Sequence, residues 1–125
     1  MEKFLLIIRD DVQRLSKLSK EEMNANILEM TLWVEELAQS GNWVNGEPLM
    51  HLGRYVSRDN VLSDGPFIEA KEAVSGYITI RAENLNQAVS ISQTCPKVIK
   101  NETVIEVRPI MVMDEAVRPS GYKDE

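Results

Sequence analysis

The length, composition and charge of the chain set the first limits on what it can be. It has 125 residues, 43% hydrophobic and 27% charged, which suits one globular domain. Fourteen basic against twenty acidic residues give a formal net charge of −6, which repels the phosphate backbone of nucleic acids. The longest apolar runs fall far below the ~20 residues that span a membrane. We therefore expect neither a nucleic-acid partner nor a membrane partner.

The single cysteine and the first residues indicate a compartment. Cys95 cannot form an internal disulfide and leaves no Cys/His cluster for zinc, which favours a reducing interior. The chain does not open with a Lys/Arg-led apolar segment and a small-residue cleavage site. We expect a cytoplasmic protein that keeps its N-terminus and binds no metal.

The first third of the chain predicts a strand followed by a long helix. The apolar run Phe4–Ile8 is typical of a central strand that is buried on both faces. Ser19 and Glu22 have the spacing of a capping box, and Gly41 supplies a C-terminal stop, so we expect a helix over residues 20–40. Its apolar face consists of Met23, Ile27, Met30, Val34 and Leu37.

The middle of the chain lacks a long periodic pattern. Asn45-Gly46 and Glu47-Pro48 are turn signals, and we expect loops around them. Tyr55-Val56 and Val61-Leu62 flank a polar triplet and predict a short hairpin. Loops of this kind are where pockets form.

The last part of the chain predicts a strand, a helix and a strand. Residues 76–81 alternate with period two. Asn84 is a good N-cap for a second helix of about ten residues, which Pro96 ends. Residues 103–113 form the final strand, in which Pro109 marks an edge or a bulge because it lacks an N–H group.

This order of elements, βαββαβ, is typical of a ferredoxin-like α+β fold, in which two helices cover one face of an antiparallel sheet. Residues 1–113 form this domain, and residues 114–125 form a polar tail. The other sheet face has no cover within one chain. Its apolar residues are Leu5, Ile7, Tyr77 and Ile110. We therefore expect a homodimer that pairs through this face.

The most specific motif lies between residues 63 and 77. It reads Ser63-Asp64-Gly65-Pro66-Phe67-Ile68-Glu69-Ala70-Lys71-Glu72, followed by Gly76-Tyr77. This string resembles the signature of the DGPF-type proteins of the YCII-related family. The resemblance covers nearly the whole chain, to the strand Glu106-Val107-Arg108-Pro109-Ile110, and implies a dimeric α+β barrel.

The resemblance implies less about activity. YCII-type relatives are associated with a His/Asp pair in a cleft, and one branch is linked to removing chloride from a hydroxylated aromatic ring. The first helix of this chain contains no histidine. Relatives are also discussed beside alternative sigma factors.

Three residues are candidates for proton transfer or for the ligand site. Asp64 is either a turn residue that accepts backbone N–H groups or a base in the cleft. Glu69 is either a solvated surface charge or part of the ligand site. His51, the single imidazole, is either an incidental loop residue or a proton-transfer group. Cys95 is expected to be a buried hydrophobe rather than a nucleophile.

Three further residues share a sheet face if the last two long strands pair. They are Tyr77, Arg81 and Arg108. Arg108 either forms a structural ion pair with Glu106 or binds a carboxylate or enolate oxygen, because its guanidinium is a planar fork of donors. Tyr77 would orient the same ligand.

Two functions follow from these candidates. The first is a small cytoplasmic homodimer that binds a small anionic or enolisable molecule in a cleft. As an enzyme, it would catalyse cofactor-free proton transfer of an isomerase or lyase kind, with Asp64 or His51 as the base and Arg108 or Tyr77 stabilising negative charge. The alternative is a non-catalytic ligand-binding or interaction module, such as a regulatory partner of transcription proteins. No phosphate-binding loop follows the first strand, so we expect no nucleotide cofactor.

Overall fold

The chain folds around a four-stranded antiparallel sheet. The computed structural model describes residues 1–62 and 72–122. The strands lie in the order β2 (Trp43–Pro48), β5 (Glu72–Ala82), β1 (Glu2–Asp11) and β6 (Thr103–Pro109), and a separate hairpin pairs β3 (Tyr55–Val56) with β4 (Val61–Leu62). This arrangement confirms the predicted α+β class, the ferredoxin-like strand order and the short hairpin.

The helices lie on one side of this sheet. They are α1 (Val12–Ser16), α2 (Lys20–Gln39), α3 (Leu85–Ser92) and α4 (Pro96–Ile99), and a 3₁₀ turn follows at Glu115–Val117. Helix α3 contacts β1, β5 and β6, while α2 contacts β2 and α4. Among residues 1–62 and 72–122, no helix is long and apolar enough to cross a membrane.

Strand β1 is central, as predicted, but its two faces differ in burial. Phe4, Leu6 and Ile8 are buried under the helices, whereas Leu5 and Ile7 are half-buried on the other face. The prediction of full burial on both faces was wrong, because the described residues place helices on one face of the sheet. The core forms between β1, β5, α2 and α3. It consists of Phe4, Leu6, Ile8, Trp33, Leu37, Ile78, Ile80, Ala82, Ala88 and Cys95.

Helix α2 has the predicted start but only part of the predicted packing. The capping box of Ser19 and Glu22 is present. The helix ends at Gln39, Ser40 is its C-cap, and Gly41 follows with a φ of +82°. Trp33 and Leu37 are buried at its C-terminal end, and the Trp33 Nε1–H donates to Thr94 Oγ1 at 2.9 Å. No residue in the N-terminal half of α2 is buried.

Sequence analysis did not predict strand β2, because the turn signals at residues 45–48 favour loops. Residues 43–48 pair with β5 as an edge strand, where loops were expected. Gly46 permits this pairing, since a Cβ atom there would lie 2.7 Å from the Tyr77 carbonyl oxygen. Pro48 stands at the end of the strand, where the lost N–H donor is tolerated. Gly46 and Pro48 are therefore strand residues here and not turn residues.

The C-terminal elements also end earlier than predicted. Asn84 caps α3 as expected, but α3 ends at Ser92, and Pro96 opens the separate helix α4 at a position that proline favours. Strand β6 ends at Pro109 instead of residue 113. It pairs with β1 alone and is an edge strand, as Pro109 predicted.

Candidate functional site

A cavity of about 460 Å³ opens between the N-terminal half of α2 and the sheet. Its volume lies within the range typical of small-molecule sites. Most of its walls are apolar side chains, namely Ile8, Leu15, Met23, Ile27, Met30, Val34, Trp43, Pro48, Leu49 and Ile78. Helix α2 contributes Met23, Asn26, Ile27, Met30, Thr31 and Val34 to the lining, whereas its Trp33 and Leu37 are buried in the core.

The buried end of the cavity carries a pair of opposite charges. The side chains of Asp10 and Lys97 are each 4% exposed, and both residues line the cavity. Lys97 Nζ lies 3.2 Å from Asp10 Oδ1 and 3.3 Å from Asp10 Oδ2. An ion pair at this depth is unusual because each charge loses its hydration.

Two hydroxyl groups complete this set, which we call the Asp10 cluster: Asp10, Ser75, Lys97 and Thr103. The Ser75 hydroxyl donates to Asp10 Oδ2 at 2.5 Å, and the Thr103 hydroxyl donates to Oδ1. Burial alone would raise the pKa of Asp10, but the hydrogen bonds from Ser75, Thr103 and Lys97 and the lysine charge outweigh it and lower that pKa. Asp10 is therefore a stable carboxylate whose oxygens are all engaged.

Four elements, β1, β5, α4 and β6, bring the Asp10 cluster together. Asp10 pairs with Thr103 in the register of β1 and β6. Ser75 is the extra residue of a β-bulge, since Ile8 pairs with Gly76 and Arg9 pairs with Val74. Lys97 lies in the single turn of α4, which packs against α2 and β6. The bulge turns the Ser75 hydroxyl toward β1.

Sequence analysis missed Asp10 and Lys97. A signal for Asp10 was present, because it continues the period-two spacing of Phe4, Leu6 and Ile8 and therefore belongs to the inward face of β1. The strand prediction rested on the apolar run Phe4–Ile8, which stops two residues before Asp10. For Lys97, no pattern in the sequence distinguishes a buried lysine from a surface one.

Two of the sequence-predicted residues lie at this cavity. His51 is exposed at its mouth, and Tyr77 lines its wall on β5. Alternation along β5 places the Tyr77 side chain on the sheet face opposite Ile78, and its hydroxyl lies 3.4 Å from Glu47 Oε2. His51 is thus the predicted proton-transfer candidate that the fold brings to the pocket.

Arg108 and Arg81 lie on the sheet face that the helices leave open. Arg108 Nη1 donates to Glu106 Oε2 at 3.1 Å, and Arg9 Nη2 donates to Glu106 Oε1 at the same distance. These hydrogen bonds, first that of Arg108 and then that of Arg9, lower the pKa of Glu106. Neither Arg81 nor Arg108 lines the cavity described above.

The remaining candidates divide into two groups. Asp64 and Glu69 belong to the part of the motif, residues 63–71, that lies outside the described residues. Cys95 is fully buried, as predicted, and burial raises the pKa of its thiol, so it is a packing residue and a poor nucleophile. Within residues 1–62 and 72–122, no three His, Cys, Asp or Glu side chains form a group that could hold a metal ion.

Comparison with protein families assigns the chain to one of them. The chain matches no curated protein. The sequence model of the YCII-related domain matches residues 3–114, from the start of β1 to just beyond β6. The chain therefore belongs to the YCII-related family.

Proposed function

We propose that this protein binds a small anionic or enolisable molecule in the cavity between α2 and the sheet. The observation that carries the proposal is the buried Asp10–Lys97 pair at the closed end of an otherwise apolar pocket. An apolar pocket with a few fixed polar groups is the usual form of a site that binds and orients a small molecule.

The energetics of the ion pair support a role in binding. An apolar pair of similar volume is often as stable as a buried ion pair, or more stable, because burial removes the hydration of both charges. Stability alone therefore does not account for a lysine and an aspartate that face a cavity. A ligand with a polar head gains from them, since it exchanges its own hydration for fixed partners.

Proton transfer is a second candidate function, favoured by the position of His51. Asp10 is a poor base because three donors already engage its carboxylate. His51 lines the same cavity. An imidazole exchanges protons near neutral pH, so His51 could remove a proton from a carbon acid held in the pocket. No cofactor is needed for such a step.

We further propose that two copies associate through the open face of the sheet. Leu5 and Ile7 are half-buried there within one chain, and Arg9, Glu106 and Arg108 form an ordered row of charges beside them. A mixed apolar and charged face of this kind suits a self-complementary contact. We propose a cytoplasmic location as well, which the unpaired Cys95 supports.

The proposal is tested by titrating the ¹⁵N-labelled protein with acetophenone and with benzoate. We expect saturable shifts of the backbone amides of Met30, Gly46 and Gly76, which line the cavity, while the amides of Leu5 and Arg108 stay in place. If neither compound moves the cavity amides, the small-molecule proposal is wrong.

Proton transfer has a separate test. Acetophenone in D₂O exchanges its methyl protons slowly, and we expect the protein to accelerate that exchange and His51→Gln to abolish the acceleration. If acetophenone binds but its methyl protons exchange at the uncatalysed rate, the protein binds small molecules and does not catalyse this proton transfer.

A further inference from the structure

We infer that the cavity selects neutral molecules that carry a hydrogen-bond acceptor, typically a carbonyl oxygen, and that Lys97 Nζ donates to this acceptor. This inference rests on the proposed function and narrows it. It excludes anions as the preferred ligands and identifies the atom that recognises the polar head.

The first step in the argument is the count of donors on Lys97. An ammonium group has three N–H bonds. Within residues 1–62 and 72–122, Asp10 is the one partner of Nζ, through a hydrogen bond to Oδ2 and an ion-pair contact with Oδ1. At most two of the three N–H bonds are used there. Because Lys97 is buried and lines the cavity, the third N–H has the cavity interior as its open direction.

The second step concerns Asp10, which faces the same space. Its Oδ1 accepts from Thr103 and lies 3.2 Å from Lys97 Nζ, and its Oδ2 accepts from Ser75 and Lys97. A carboxylate with this many donors has little capacity for another. The Asp10 cluster therefore offers a donor to the cavity and no comparable acceptor, so the matching ligand group is an acceptor.

The third step is the charge of the lining. Asp10 carries one negative charge, and Lys97 carries the one lysine or arginine charge among the lining residues, so the two cancel. The Glu47 carboxylate lies beside the Tyr77 hydroxyl on the other face of the sheet. An anionic head would enter an apolar, partly enclosed space with no spare positive charge, and it would lose its hydration. A ketone, aldehyde or ester loses much less and still accepts the hydrogen bond from Lys97.

Donation from Lys97 also suits an enolisable ligand. When a proton leaves the carbon beside a carbonyl group, negative charge develops on the carbonyl oxygen. A fixed ammonium N–H at that oxygen binds the enolate more strongly than the ketone. The same contact that selects a carbonyl ligand would therefore favour its enolate form.

Three compounds of nearly equal shape test this inference: acetophenone, α-methylstyrene and benzoate. Each joins a phenyl ring to a planar head, which is a ketone, an alkene or a carboxylate. We expect acetophenone to bind about tenfold more tightly than the other two, because a hydrogen bond to a charged donor discriminates by at least that factor. The dissociation constants come from shifts of the cavity amides in NMR titrations.

Two variants assign the preference to Lys97. Asp10→Leu with Lys97→Met removes both charges together, so neither is left unpaired, and we expect acetophenone and α-methylstyrene to bind equally. Asp10→Asn with Lys97→Met serves the same purpose if the first variant does not fold. Lys100→Met is the matched control, because Lys100 lies on the surface, pairs with Glu29 and does not line the cavity. It should keep the full preference for acetophenone.

The outcomes separate this inference from the proposed function. Binding of benzoate or α-methylstyrene as tight as that of acetophenone overturns the inference and leaves a small-molecule site. A preference for acetophenone that survives in a folded double variant overturns the role of Lys97. Unmoved cavity amides with all three compounds overturn the proposed function itself.

Discussion

Asp10 and Lys97 depend on each other, because each compensates a charge that water does not reach. Both side chains are 4% exposed and lie 3.2 Å apart. Removing one partner leaves a buried charge alone, whereas removing both leaves an apolar contact. The two residues thus form a unit whose effects are not additive.

This dependence gives an expected order of stability. Lys97→Met should lower the free energy of unfolding by about 3–5 kcal/mol, since it leaves the buried Asp10 carboxylate without a positively charged partner. Asp10→Leu combined with Lys97→Met should recover most of that loss. Urea denaturation of the single and double variants measures both values. A double variant that is less stable than Lys97→Met would contradict the pairing.

The pH dependence of stability is a second expectation at this scale. The pKa of Asp10 in the folded protein lies below the usual value of 3.8, so its ionised form stabilises the fold. This contribution is complete above pH ~5 and is lost as the pH falls through the folded pKa. The free energy of unfolding should therefore decline more steeply between pH 5 and pH 2 in the wild type than in the double variant. Parallel declines would show that Asp10 is not stabilised as a carboxylate.

Among the elements, the edge strand β2 and the helix α2 form the two sides of the cavity. Helix α2 was predictable, because its capping box, its apolar spacing and its glycine stop all agree with the structure. The packing of α2 against the sheet was not predictable from the sequence. Ile27, for example, belongs to the predicted apolar face but is 56% exposed. Periodicity identifies which residues share a face, but packing decides how much of that face meets the sheet.

Strand β2 shows the opposite case, in which local signals conflict with the tertiary structure. Gly46 and Pro48 favour turns in isolation. In the fold, the missing Cβ of Gly46 permits close approach to Tyr77 and to the Trp43 ring. A sequence pattern does not reveal such an approach, because it depends on pairing with β5, which is distant in the sequence.

Gly46→Ala tests this account of β2. The added methyl group would lie 2.7 Å from the Tyr77 carbonyl oxygen and 2.9 Å from Trp43 Cη2, so β2 must move away from β5. We expect a loss of about 1–3 kcal/mol in the free energy of unfolding. Gly121→Ala is the control, since its methyl group would meet nothing within 4 Å. Equal stability of the two variants would contradict the close approach.

At the scale of the whole molecule, the sheet divides the protein into two sides with different roles. The helices and the cavity lie on one side. The other side carries Leu5, Ile7 and the charge row of Arg9, Glu106 and Arg108. Sequence analysis assigned ligand binding to Arg81 and Arg108, which lie on that open side, because strand alternation shows which residues share a face but not which face encloses a cavity.

Association through the open face has a direct test. Sedimentation equilibrium at micromolar concentration should give twice the chain mass of 14.2 kDa. Ile7→Glu places a charge at the centre of the proposed contact and should weaken association by at least about tenfold. Leu32→Glu, on the exposed surface of α2, should leave the dimer intact. A wild-type monomer at high concentration would remove the dimer from this account.

The most direct test of the central claim is a crystal structure of the protein soaked with acetophenone. We expect the phenyl ring to lie in the cavity between Met30 and Trp43, with the ketone oxygen within hydrogen-bond distance of Lys97 Nζ. An empty cavity, or a ring whose oxygen points to the mouth and leaves the Asp10–Lys97 pair without contact, would contradict the claim.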